Sequence, residues 1–304
     1  MTRLNKNTVR TAPAALSALS ALAVLATLAM GVGCSDSDPS SDTRTLTQSF
    51  SGLDVLGADF VYEGWIIVDG APVSTGRFNV DADGNPTTAA PTMPAATVDV
   101  ATTFILTIEP AVGDDPAPSA VHVLAGDLSG GVASLTVAHG AALATDFASA
   151  EGQFILETPS SAAPEDYNQG IWWLVPGAAP SAGLTLPALP EGWAYEGWVV
   201  GSDGPVSTGT FTVAAGADSD LAGPTGGPDG DGPPFPGQDF ITPAVSLLGQ
   251  TAVISVEPVP DTSAAPFALK PLVLMDIQDV MAPTTQFMSN NAAATNPTGV
   301  AMFE

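Results

Sequence analysis

Clustered carboxylates are the first residues in the chain whose types and spacing could do chemistry. Asp81-Ala82-Asp83-Gly84-Asn85 follows one apolar stretch, and Asp218, Asp220, Asp229 and Asp231 follow a later one in the equivalent place. Acidic side chains in a glycine-containing loop can wrap calcium, which takes about six to eight hard oxygen ligands. Neither loop completes the helix-loop-helix calcium pattern, whose final ligand position holds Thr92 in the first and Asp229 in the second. Solvated acidic loops are the competing reading, so calcium is the one candidate cofactor and no metal site is assigned.

Catalytic constellations lack their parts. Ser74 and Ser207 each sit in Ser-Thr-Gly, but no Gly-x-Ser-x-Gly elbow leads into a helix, and His122 and His139 are the only bases of their kind. Glu109 and Glu257 could pair for glycoside cleavage only if something held them several ångströms apart, and they occupy equivalent places in separate repeats. No catalytic residue is assigned, and the chain is read as a non-enzyme. Exposed aromatics could instead stack on a glycan. In Tyr62-Glu63-Gly64-Trp65, strand alternation sends Tyr62 and Trp65 to opposite faces, which suits core packing. Trp172 and Trp173 are the better ligand-facing candidates, because adjacent strand residues point oppositely and one of them is expected outside.

The elements that would position these residues begin with an export signal. Arg3, Lys6 and Arg10 precede an uncharged, Ala/Leu-rich run from Thr11 that closes on Gly31-Val32-Gly33-Cys34. Small residues before a cysteine, then a polar stretch from Ser35 to Asp42, resemble the lipobox of bacterial lipoproteins, with Gly31 where family members carry Leu. The resemblance implies that residues 1–33 are removed, that Cys34 takes the lipid, and that residues 34–46 form a flexible tether. An ordinary secretory signal and an uncleaved helix are the alternatives, since about 20 apolar residues suffice to span a bilayer. A single cysteine spent on lipid leaves none for a disulfide, a thiol nucleophile or a thiolate zinc site.

Past the signal, Arg44, Arg77 and Lys270 stand against 32 acidic residues, a formal charge of −29. Nucleic acid and anionic headgroups need a basic surface and are excluded as natural partners. The same surface suits either a saline environment or an ordinary acidic exoprotein.

After residue 45 the apolar runs are short, rich in Val, Ile, Phe and Trp, and bounded by turn residues; 31 Gly and 28 Pro would interrupt most helices. Ala133 to Ala150 is the one stretch that could hold a short helix. An internal duplication sets the architecture. Tyr62-Glu63-Gly64-Trp65 recurs as Tyr195-Glu196-Gly197-Trp198, and Pro72-Val73-Ser74-Thr75-Gly76 as Pro205-Val206-Ser207-Thr208-Gly209, both at an offset of 133. Ile105 to Pro110 matches Val253 to Pro258 at an offset of 148, and the 15 extra residues fall in the Gly/Pro/Asp loop after the second hairpin. The chain is therefore expected to be all-β, with two tandem antiparallel domains of one fold, which the resemblance below makes β-sandwich domains: 47–130, then 131–285 with extra N-terminal strands and an acidic loop at 216–238, then a tail at 286–304.

The sequence Tyr-x-x-Trp, then Gly-x-Pro-Val-Ser-x-Gly-x-Phe, then a strand ending Glu-Pro, resembles the extracytoplasmic C-terminal domain of anti-sigma-K-type factors, twice, over 47–128 and 184–280. The resemblance implies a β-sandwich on the far side of the membrane from a sigma factor. Ten residues precede the apolar run, none of them His or Cys, so the expectation is the sensor half without a sigma-binding half. The function expected is that of a membrane-anchored extracytoplasmic module of the cell envelope that binds a protein or glycan partner. The alternative is a regulatory partner in envelope-stress signalling.

Overall fold

Strand-forming runs separated by Asp-Gly turns dictate two similar hairpins, and a computed structural model shows both. It describes residues 42–219 and 232–304. Cys34, Asp220, Asp229 and Asp231 lie outside the described residues.

In chain order the first repeat contributes β1 (Thr43–Ser51), β2 (Phe60–Val68), β3 (Ala71–Phe78), β4 (Thr92–Pro94), β5 (Ala101–Pro110), β6 (His122–Asp127) and β7 (Val132–Thr136). A connecting stretch holds β8 (Glu151–Leu156), β9 (Gly170–Trp172), β10 (Leu174–Val175), β11 (Ser181–Ala182) and β12 (Leu184–Thr185). The second repeat holds β13 (Trp193–Gly201), β14 (Gly204–Phe211), β15 (Gly237–Asp239), β16 (Thr251–Pro258) and β17 (Leu272–Leu274). The chain closes with β18 (Gln286–Phe287), β19 (Ser289–Asn290) and β20 (Thr298–Phe303). The fold is all-β.

The duplication is visible as topology. One sheet runs β3-β2-β5-β6-β7-β20-β1-β4 and another β14-β13-β16-β17-β19, so each repeat lays down the same four-strand order. Both hairpins carry a bulge in the same place: β2 and β3 slip register between Gly64 and Trp65, and β13 and β14 between Glu196 and Trp198. The sequence explains the bulge. Gly76 and Gly209 sit at φ of +116° and +98°, which a side chain disfavours. The extra residue swings Thr75 and Thr208 inward, where a Cβ on the facing Gly64 or Gly197 would stand 2.4 or 2.2 Å from the threonine Oγ1. The Gly of Tyr-Glu-Gly-Trp and the Thr of Ser-Thr-Gly are thus one packing unit.

A third sheet, β12-β8-β9-β15, joins the connecting stretch to the second repeat. The eight-stranded sheet coils back on itself, so that Phe50 of β1 stacks on Phe78 of β3 at 5.7 Å. One continuous core runs through both repeats, from Tyr62, Phe104 and Leu106 to Trp173, Tyr195 and Ile254. The described residues make a single compact unit.

Three boundaries and one helix position differ from expectation. Residues 286–304 are no tail: β20 pairs with β1 on one side and β7 on the other, because two long strands would otherwise leave open edges in the middle of a sheet. The division at 130/131 falls inside the first sheet, since β7 pairs with β6 and β20. Strand β1 starts at Thr43, within the expected tether, and buries Leu46. Ala133 to Ala150 holds β7 and turns, while the single-turn helices lie at Ala95–Val98 and Ala292–Thr295.

Candidate functional site

Each long central strand turns one face to the core and the other to a buried polar chain. Trp65 donates its indole N–H to Thr107 Oγ1 at 2.9 Å, and the Thr107 hydroxyl donates to Glu109. Trp198 donates to Ser255 Oγ at 2.8 Å, and Ser255 donates to Glu257. Each terminal glutamate also accepts the backbone N–H ten residues on, Ser119 for Glu109 and Phe267 for Glu257, both at 2.9 Å. The Glu of Glu-Pro therefore clamps the loop that follows its strand, and the Pro lies where no ladder bond is needed. On the neighbouring strand Ser74 donates to Glu63 and Ser207 to Glu196. Two buried glutamates on adjacent strands, two register positions apart, thus lie on the same face in each repeat.

The repeats differ in what neutralises those charges. In the first, the Arg77 guanidinium lies 3.6 Å from Glu63 and 3.8 Å from Asp114, and donates to the Pro110 carbonyl. In the second, the place of Arg77 is taken by Thr210. Glu196, Glu257 and Asp261 there form a group whose oxygens lie within 4.8 Å of one another. Glu196 is 5% exposed and Glu257 1%. Burial pushes both carboxyls up to about 7, with their neighbours' negative charge adding to it and the serine hydrogen bonds opposing it. Glu109 is also raised by burial.

This acidic group opens on a cavity of about 510 Å³ where the two repeats meet. Asp54, Leu56 and Phe60 line it from the first repeat, and Glu257, Asp261 and Phe267 from the second. Asp54, raised by burial, accepts the Ala268 backbone N–H across the junction.

The residues singled out in the sequence fall mostly elsewhere. Trp172 and Trp173 are both fully buried, which corrects the expectation of a ligand-facing indole. A strand between two packed layers has no outer face: Trp172 donates to the Glu157 carbonyl beside Ile155 and Phe235, and Trp173 lies edge-on to Phe154 and donates to Thr208. Asp218 is buried and accepts the Gly237 N–H at 2.9 Å, so it holds the base of its loop. Asp81 accepts from the backbone N–H groups of Asn85 and Asp83, a self-contained turn in which the Asn85 bond above all holds its carboxyl below the usual range. Neither histidine meets a serine: His122 pairs with the Ala141 carbonyl, and His139 with Asp127 and the Ala141 N–H. Glu63 and Glu196 escaped the sequence reading. A Glu beside a Gly on a strand reads as a solvent position, yet Ser74 and Ser207 lie on the same duplicated hairpins.

Among the described residues no helix is long and apolar enough to cross a membrane. No curated protein and no solved structure matches the chain. Residues 2–122 match the family model described as the C-terminal part of the anti-sigma-K factor rskA, so the apolar run and the first repeat together resemble that domain.

Proposed function

We propose that the chain is an exported, lipid-anchored, non-catalytic binding module of the cell envelope, facing the periplasm or the exterior. The observation that supports the extracytoplasmic, membrane-associated placement is the family match, which takes in the apolar run together with the first repeat. Cys34 at the end of that run is the attachment point for the lipid. A cavity lined from both repeats, with acidic and apolar walls, supports binding of a protein or glycan partner. The formal charge of −29 past residue 33 argues against nucleic acid. Membrane fractionation with intact-mass analysis tests the anchor: acyl mass on Cys34 is expected, with release or stalled processing in Cys34→Ala. A pull-down from envelope extract with the full chain tests the binding role.

The family match favours one second reading, a regulatory sensor partner in envelope-stress signalling. Deleting the gene separates the two. A regulatory role changes transcription of a sigma-factor regulon, whereas a structural or binding role changes envelope integrity with that regulon intact.

A further inference from the structure

We propose that Glu196, Glu257 and Asp261 bind a divalent cation, with calcium preferred. One carboxylate oxygen from each already lies within 4.8 Å of the other two. Calcium–oxygen bonds of about 2.3 to 2.6 Å place opposite ligands roughly 5 Å apart, so the three side chains can reach one calcium ion with the strands where they are. Magnesium, with bonds of about 2.0 to 2.1 Å and a demand for near-octahedral order, needs the group to contract. An all-oxygen set without His or Cys favours hard ions over zinc or copper.

The hydrogen-bond pattern points the same way. Ser207 uses Oε1 of Glu196, and Ser255 and the Phe267 N–H use Oε1 of Glu257. Oε2 of Glu257 is buried without a hydrogen-bond partner, and beyond Ser207 the Glu196 carboxyl shares a hydrogen bond only with Asp261, another acid. A buried anionic oxygen left so is costly, and a metal ion satisfies it where no donor is at hand.

The first repeat supplies the internal comparison. On the same strands and the same bulged hairpin, Glu63 and Asp114 hold Arg77 between them. The second repeat keeps the glutamates, brings Asp261 in from the loop after β16, and replaces the arginine by Thr210. One repeat carries its cation in the chain, and the other takes it from solution. Lys270 acts on Glu257 through space but is shared with Asp54 and makes no ion pair with a described residue. The cavity beside Glu257 and Asp261 gives the ion an entry path and leaves room for coordinating water.

The test is a calcium titration of the full chain, stripped with EDTA and held in detergent at neutral pH and constant high ionic strength. A saturable rise in Tm of roughly 5 °C or more is expected once calcium reaches about a hundred times its dissociation constant. Magnesium should give a smaller rise. Terbium should bind in calcium's place with emission sensitised by Trp198, whose indole bonds to Ser255 beside the site, and calcium should displace it. Asp261→Asn, at a half-buried position, should fold and lose both responses. Thr210→Arg should raise the metal-free Tm and abolish the calcium increment. No saturable shift in the parent protein overturns the proposal. So does a shift that survives Asp261→Asn, including one lost instead in Asp220→Asn with Asp229→Asn, which would move the site to the acidic loop. A magnesium response equal to calcium's overturns the preference.

Discussion

Asp54 accepts a hydrogen bond from the backbone N–H of Ala268, 214 residues further along the chain. The carboxylate belongs to the lead-in of the first repeat and the amide to the clamped loop of the second, so one bond ties the two copies at the rim of the cavity. Asp54→Ala leaves that amide without its partner and should cost about 1 to 3 kcal/mol. Urea denaturation followed by tryptophan fluorescence measures it. An unchanged midpoint would mean that water replaces the carboxylate freely.

The two motif tryptophans should behave as a pair. Trp65 and Trp198 are 3% and 2% exposed and donate to Thr107 and Ser255, which stand in equivalent places. Truncation of either to Ala should lower stability by about 3 to 5 kcal/mol. Losses below about 1 kcal/mol at both sites would be those of surface residues.

The bulge offers a sharper test because the collision is with a short side chain. Gly64→Ala and Gly197→Ala each place a methyl group about 2.2 to 2.4 Å from a threonine hydroxyl. Overpacking of this kind costs roughly 1 to 3 kcal/mol. Thermal unfolding of both variants, with Gly57→Ala in a loop as a control where nothing lies within 4 Å, separates packing strain from the effect of an added methyl group alone.

The pH dependence follows from Glu196 and Glu257, both raised from 4.5 to about 7 by burial. Between those values the folded protein keeps protons that the unfolded chain has released. Stability measured in EDTA should therefore fall as pH rises through that window. General charge repulsion has the same sign, so Glu257→Gln is the control: it should match the parent near the low end of the window and exceed it in stability above about pH 7. Parallel Tm curves for the two proteins would count against a raised carboxyl.

The duplicated hairpins, their Asp-Gly turns and the opposite faces of Tyr62 and Trp65 were legible in the sequence, because turn chemistry and two-residue alternation are local. The ends of the strands carrying Glu109 and Glu257 are legible from Glu-Pro, but the clamp each carboxylate places on the following loop is not. The glutamate pairs were not. Glu63 meets Glu109 only after β2 has paired with β5, and no spacing along the chain announces that the second face will be covered. The same blindness placed one of Trp172 and Trp173 outside, since alternation reports that two faces exist and says nothing of what lies on each. The sequence from Thr298 to Phe303 suggests a tail because six residues carry little periodic signal, although Ala301 and Phe303 alternate with more exposed neighbours.

Because β20 sits between β7 and β1, the largest sheet joins the two ends of the described chain; Thr45 and Glu304 exchange backbone hydrogen bonds at 2.8 and 3.0 Å. A polypeptide emerging from its N-terminus brings out β20 after every other described strand. Until Thr298 to Phe303 emerge, β1 and β7 have no partner on their facing edges, and the first repeat cannot finish folding ahead of the second. Such long sequence separation slows closure. It also makes this six-residue strand a quality checkpoint: a chain interrupted before Thr298 is left with two open edges, free to pair with another copy or to be cut by proteases.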